Sequence, residues 1–157
     1  MAGRLRAAVD GGSRGNPGPA AWAVALLDDD GSYVEGHAGG IGRATNNVAE
    51  YRALVEALRI AEARGADDVE VLADSELIVR QVEGRYRVRH PGLISLHAEA
   101  MRRIRALPAF RIRHVPREAN RDADRLVNRV LDLCERGAGE EELHLVELPE
   151  APATAGS

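Results

Sequence analysis

Lysine is missing from this chain of 157 residues: all 21 of its basic side chains are arginines. Any anion it binds therefore meets a planar guanidinium fork rather than a mobile ammonium. Cysteine occurs once, at Cys134, which excludes an intrachain disulfide and fits a reducing, cytoplasmic setting. No apolar run approaches the roughly 20 residues of a membrane helix. The N-terminal stretch MAGRLRAAVDGG has no apolar core of a signal peptide, so a membrane partner is not expected. The glycine-rich stretch GGSRGNPG lacks the Gly-Lys-Ser/Thr ending of a P-loop, which argues against nucleoside triphosphate binding. His37, His90, His97 and His144 have no metal-ligand spacing, and the single tryptophan, Trp22, sits in an apolar run that suits a core. There are no internal repeats.

What is present suits one globular α/β domain. Apolar residues make up 45% and charged residues 29%, and the length is enough to bury a core without staples. The net charge of −4 hides an uneven distribution. Residues 135–157 carry six acids against one arginine, whereas Arg80 to Arg125 carries twelve arginines against five acids. The acidic, Gly- and Pro-bearing stretch 137–157 is expected to be a disordered tail behind a domain of residues 1–136. Within it, HLVEL (144–148) has the pattern of a short edge strand.

Apolar runs and turn residues predict strands over 4–9, 20–28, 32–38, 69–73 and 110–115. Asp28-Asp29-Asp30-Gly31 forms a hairpin turn rather than a metal site. Helical spacing predicts helices over 47–64, 75–83, 93–106 and 120–135, with Gly65 and Gly84 as stops. This order implies a five-stranded mixed sheet, three strands antiparallel and two parallel, flanked by helices.

Four carboxylates stand where carboxylates are costly. Asp10 and Asp74 each end an apolar strand. Glu50 lies on the apolar side of the long helix, in line with Leu54, Ala57 and Ala61, and Asp124 lies in line with Val127 and Leu131. Each has an ordinary explanation: a turn residue for Asp10, an N-cap for Asp74, the acid of a capping box with Asn47 for Glu50, and a helix-dipole partner for Asp124. Strand C-termini and adjacent helix N-termini form the functional crevice of an open α/β sheet, however. Four carboxylates converging there repel one another and lose hydration. A divalent cation relieves both costs, and an all-oxygen set suits Mg²⁺ or Mn²⁺. Such a pair of ions serves phosphodiester chemistry.

The motifs around these residues resemble a known family. Asp10-Gly11-Gly12-Ser13-Arg14-Gly15-Asn16-Pro17-Gly18-Pro19, Thr45-Asn46-Asn47-Val48-Ala49-Glu50-Tyr51, Ala73-Asp74-Ser75, and the run from His114 to Asp124 with Asn120 between them resemble, in order, the four motifs of type 1 ribonucleases H. The resemblance covers roughly residues 4–134 and implies a ribonuclease H fold. It implies endonucleolytic cleavage of the RNA strand of RNA/DNA hybrids, leaving 5′-phosphate and 3′-hydroxyl ends. Carried over, Asp10, Glu50, Asp74 and Asp124 hold two Mg²⁺ ions with substrate bound, Mn²⁺ being the alternative. Glu50 also touches a 2′-hydroxyl, and His114 helps proton movement or product release. Asn16, Thr45, Asn46 and Asn47 contact the hybrid, Gly11 and Gly12 let the backbone approach it, and Asn120 and Glu76 fall among substrate-facing positions. A monomer is expected.

The pattern departs from the family in two places. The basic, aromatic-rich handle of the longer bacterial type is missing, so the resemblance is to the short bacterial and archaeal type. Arg85 and Arg87, in the link that remains, are candidate phosphate contacts. Glu76 stands where the family commonly has an amide. In some relatives of the short type a phosphatase domain follows, and none is expected here. Two other functions compete: an inactive hybrid- or RNA-binding module, and a nuclease of the same superfamily acting on another duplex.

Overall fold

The computed structural model describes residues 3–136 and 143–149. Strands β1 (Arg4–Ser13), β2 (Gly18–Leu27) and β3 (Tyr33–Ala44) lead into helix α1 (Asn46–Ala63). Strand β4 (Asp68–Ala73) precedes α2 (Glu76–Val82) and α3 (Pro91–Arg105). Strand β5 (Ala109–His114), a 3-10 turn (Arg117–Ala119), α4 (Arg121–Glu135) and β6 (His144–Glu147) complete the order. The strands lie in the spatial order β5-β4-β1-β2-β3-β6, with β1 parallel to β4, β4 parallel to β5, and the remaining pairs antiparallel.

The mixed sheet and the four long helices are those expected from the sequence, but the strand count is six rather than five. Residues 144–147 pair with Gly36–Gly39, so the sheet continues past the boundary placed at residue 136. The rest of the expected disordered tail, 137–142 and 150–157, lies outside the described residues. Charge anchors β6. The Glu147 carboxylate accepts a hydrogen bond from the Tyr33 hydroxyl at 2.6 Å, two from Arg125 at 2.8 and 3.0 Å, and one from Arg129 at 3.3 Å. These partners hold it at about 2, well below the usual carboxylate range.

Both faces of the central sheet are covered, so its strands are apolar on both sides. On β2 the large residues Trp22, Val24 and Leu26 face α1 in one core. Ala21, Ala23 and Ala25 face the other way, with Ala8 and Ala38. This alanine floor lets α4 settle closely, and Leu126, Val127, Val130 and Leu131 fill the second core. Strands β1 and β3 run further than expected because their glycines are strand residues. A Cβ at Gly39 would lie 2.7 Å from the Trp22 indole nitrogen.

One glycine sets the spacing of helix and sheet. A Cβ on Gly11 would overlap the Ala49 carbonyl and the Glu50 amide nitrogen. The missing side chain lets α1 lie against β1. Gly11 thus makes a close approach to the chain's own helix, while it also lines the groove of the four acids.

Gly11→Ala should destabilise the fold by about 3 kcal/mol, because backbone on both sides must move; urea unfolding measures it. Glu147→Gln should cost about 1–2 kcal/mol at neutral pH. A carboxylate with a lowered folded-state pKa stabilises above its unfolded value of about 4.5 and loses that contribution as pH falls through about 2. The difference between parent and variant should therefore shrink over that acid range in parallel denaturation curves.

Candidate active site

Topology brings the acids together. Val9 and Ala73 are register partners on parallel β1 and β4, so Asp10 and Asp74 follow on adjacent strands. Here β1 has an antiparallel neighbour on one side and a parallel one on the other, the kind of switch point at which α/β sheets open a crevice. Glu50 arrives from α1 on one face because Gly11 admits that helix. Asp124 arrives from α4 on the opposite face. Carboxylate oxygens of Asp10, Glu50 and Asp74 all lie within 4.8 Å of one another. Asp124 lines the same groove of about 280 Å³, with Arg117, Asn128 and Ser13.

The electrostatics are strongly unfavourable without a counter-ion. Asp10 is only 8% exposed. Burial first, then the charges of Asp74, Asp124 and Glu50, push it up to about 8, against one opposing hydrogen bond from the Gly11 amide. Burial pushes Glu50 up to about 7, with Asp74 adding to the rise and Ser75 and Arg117 opposing it. Two carboxylates raised this far mark a place where the protein lacks positive charge. The donors are all hard oxygens, and three reach a common point, so the set fits a divalent cation of the magnesium type.

The ordinary explanations for two of these acids fail on helix geometry. The N-cap of α1 is Thr45, whose hydroxyl accepts from the Val48 amide at 3.2 Å; Asn47 is inside the helix, and Glu50 is too far along to close a capping box with it. The N-cap of α2 is Ser75, which accepts from Ile78, leaving Asp74 outside the helix. Asp124 is exposed at the rim in the first turn of α4, where a dipole contribution remains available to it.

The expected substrate contacts divide into two groups. Asn16 and Asn46 stand together at the groove. The Asn16 side-chain oxygen accepts from the Asn46 amide at 3.0 Å, and the Asn46 side-chain oxygen accepts from Ser13 at 2.8 Å. Both side chains are exposed, near Thr45, half-buried Asn47 and the groove-lining Gly12. His114 is exposed at the end of β5, opposite Ala73 and within electrostatic reach of Glu76.

The remaining candidates do not line the groove. Glu76 pairs with Arg80 at 2.8 Å on the exposed side of α2. Arg85 and Arg87 stand on the exposed link between α2 and α3. Asn120 corrects its expected role outright. It is 1% exposed, and its amide donates to the Val9 carbonyl at 2.9 Å. Its backbone carbonyl accepts from the Asp124 amide at 3.1 Å. Asn120 is thus buried out of reach of a substrate and ties the strand carrying Asp10 to the helix carrying Asp124.

Three contributors were not assigned from sequence. Arg14 pairs with Asp132 at 2.8 Å and Glu135 at 2.7 Å, bolting the β1–β2 turn to α4. Arg117 and Ser75 hold down the Glu50 pKa. Arg14 and Arg117 lie inside the motifs already quoted, but only the folded chain gives them partners.

Known proteins resemble this chain in sequence and fold. The family profile described as reverse transcriptase-like matches residues 8–130. A ribonuclease HI of Halobacterium salinarum is 44% identical over 130 residues, 83% of this chain and 65% of its own length. The bifunctional protein Rv2228c of Mycobacterium tuberculosis is 40% identical over 154 residues, 95% of this chain, which spans only 42% of that relative. The crystal structure of RNase H1 from Halobacterium salinarum superposes with a TM-score of 0.79, covering 83% of this chain and 98% of that one. The N-terminal RNase H domain of Rv2228c, at 40% identity, gives 0.81 with 88% and 100% coverage. LC11-RNase H1, solved in complex with an RNA/DNA hybrid, is 41% identical and gives 0.78 with 83% and 99% coverage. With four acids drawn from both faces of such a sheet to one crevice, and relatives of this likeness, the chain belongs to the ribonuclease H family.

Proposed function

We propose that the protein is an endonuclease that hydrolyses the RNA strand of RNA/DNA hybrids with two divalent cations, leaving 5′-phosphate and 3′-hydroxyl ends. The carrying observation is the recessed trio Asp10, Glu50 and Asp74, faced by Asp124 across one groove. The hybrid-bound relative supports the substrate class. Asp10, Glu50, Asp74 and Asp124 would hold the ions, Mg²⁺ with Mn²⁺ as the alternative. When bound, such ions activate water and stabilise the leaving oxygen.

The chain's own residues do the rest. Exposed Asn16 and Asn46, whose side-chain oxygens are engaged within the protein, would donate their NH₂ groups to the backbone of the hybrid, positioning it over the acids. Glu50, steadied by Ser75, accepts from a ribose 2′-hydroxyl, the group that separates RNA from DNA. Arg117 offers a guanidinium to phosphate at the same groove. His114, exposed at the end of β5, would help proton movement or product release. Among the described residues no helix is long and apolar enough to cross a membrane. We place the enzyme in the cytoplasm, in keeping with its single cysteine, and expect it to act as a monomer. Residues 1–136 hold every proposed catalytic and metal-binding residue, and β6 completes the sheet from beyond them.

An end-labelled hybrid incubated with Mg²⁺, Mn²⁺ or EDTA should lose only its RNA strand, and only with metal; double-stranded RNA is the comparator. Silence on the hybrid with both metals would sink the assignment. Asp10→Asn should lower turnover about a thousandfold or more, since the ions supply several kcal/mol. The same substitution removes a costly buried charge. In EDTA at about pH 8 the variant should melt at or above the parent, and Mg²⁺ should raise the melting temperature of the parent alone.

A further inference from the structure

We propose that the outer edge of β5 is a docking site for an extended, alternately acidic and apolar strand of a partner protein. The two edges of the sheet differ. The β3 edge is covered by the chain's own β6, whereas β5 ends the strand order on the other side. The Ala109 and Val115 amides donate toward β4, to the Asp67 and Ala73 carbonyls at 3.0 and 2.9 Å. The two-residue period of a parallel ladder turns the N–H and C=O groups of Phe110, Ile112 and His114 away from β4. Among the described residues no other strand pairs with them. An open row of this kind is a template for another strand.

The surroundings specify which strand. A groove of about 360 Å³ lies at this edge, lined by Val82, Ile104, Phe110 and Ile112 together with Glu83, Arg111 and Arg113. Strand alternation sends the Arg111 and Arg113 side chains away from those of Phe110 and Ile112, and they are 51% and 60% exposed. Their ion pairs are long and shared: Glu70 lies 3.7 Å from Arg111 and 3.9 Å from Arg113, while Arg6 holds it at 2.8 Å. Arg4, Arg6, Arg111 and Arg113 thus surround only Asp68 and Glu70. Successive side chains of an added strand point to opposite faces. Apolar residues would enter the groove, and acidic residues between them would meet Arg111 and Arg113.

The other edge of the sheet already holds a strand through charge: β6 gives Glu147 to Arg125 and Arg129, with Leu145 on the same face against the α4 core. A nucleic acid fits the β5 edge less well. Four of the groove's lining residues are apolar and a fifth is Glu83, and the Glu70 carboxylate stands among the arginines and repels phosphate.

The test uses the whole chain and a fluorescent peptide of alternating glutamate and valine, about eight residues long. Fluorescence anisotropy should show saturable binding in the micromolar range. The Arg111→Glu/Arg113→Glu double variant should bind at least about tenfold more weakly, a loss of about 1.4 kcal/mol or more, while cleaving hybrid at the parental rate. A peptide N-methylated at alternate residues keeps its charge but cannot form the ladder, and it should not bind; this control needs no altered protein. A lysine–valine peptide should also fail. The proposal is overturned by no saturation up to about 1 mM, by equal binding of the N-methylated peptide, or by equal binding to the double variant. If the double variant instead loses affinity for hybrid while the peptide never binds, the surface belongs to nucleic acid.

Discussion

The contact of α1 with β1 at Gly11 governs the rest of the molecule. A helix normally stands off a sheet by the length of its side chains. Here the strand has no side chain at the crossing, and the peptide of Ala49 and Glu50 takes its place. Glu50 is thereby brought within reach of Asp10 and Asp74. A strand residue of any other type at position 11 would push the helix outward and open the trio. The backbone thus enforces a proximity that the carboxylates themselves oppose.

The resulting strain is electrostatic. Asp10 and Glu50 are raised mainly by burial, with like charges adding to the cost. Protons, cations or a loosened fold can each relieve such a site, and the rigid frame removes the third option. Asn120 reinforces that frame from the other face, joining β1 to the first turn of α4. Arg14 adds a second tie between the β1–β2 turn and the far end of α4. The acids are held by groups other than themselves, so a cation can enter without first having to organise them.

Edge management gives the sheet its asymmetry. On the β3 side, one glutamate shared by a tyrosine and two arginines anchors a four-residue strand. On the β5 side, Arg111 and Arg113 face solvent at a groove lined in part by Val82, Ile104, Phe110 and Ile112. Exposed edge charges discourage unwanted pairing of identical chains. The same charges select an acidic strand, so protection from self-association and recognition of a partner are compatible uses of one surface.

Much of this was legible in the chain order. The run AAWAVALL, the acids closing the strands at Asp10 and Asp74, and the apolar helix faces carrying Glu50 and Asp124 pointed to a mixed sheet and its four metal-binding candidates, because period and turn chemistry are local properties. What needed the fold was every role that depends on a distant partner. Asn120 looked like a substrate contact until its amide met the Val9 carbonyl, 111 residues away in the chain. Gly11 sets the depth of α1 against β1, a packing role that needs a partner 38 residues away. The strand at 144–147 was ambiguous because four residues in an acidic setting carry too weak a pattern, and only the arginines of α4 explain its place. Sequence by itself determined which elements form and which residue types can hold a cation. Tertiary structure decided which of those residues meet, because burial and proximity are set by packing between segments far apart in the chain.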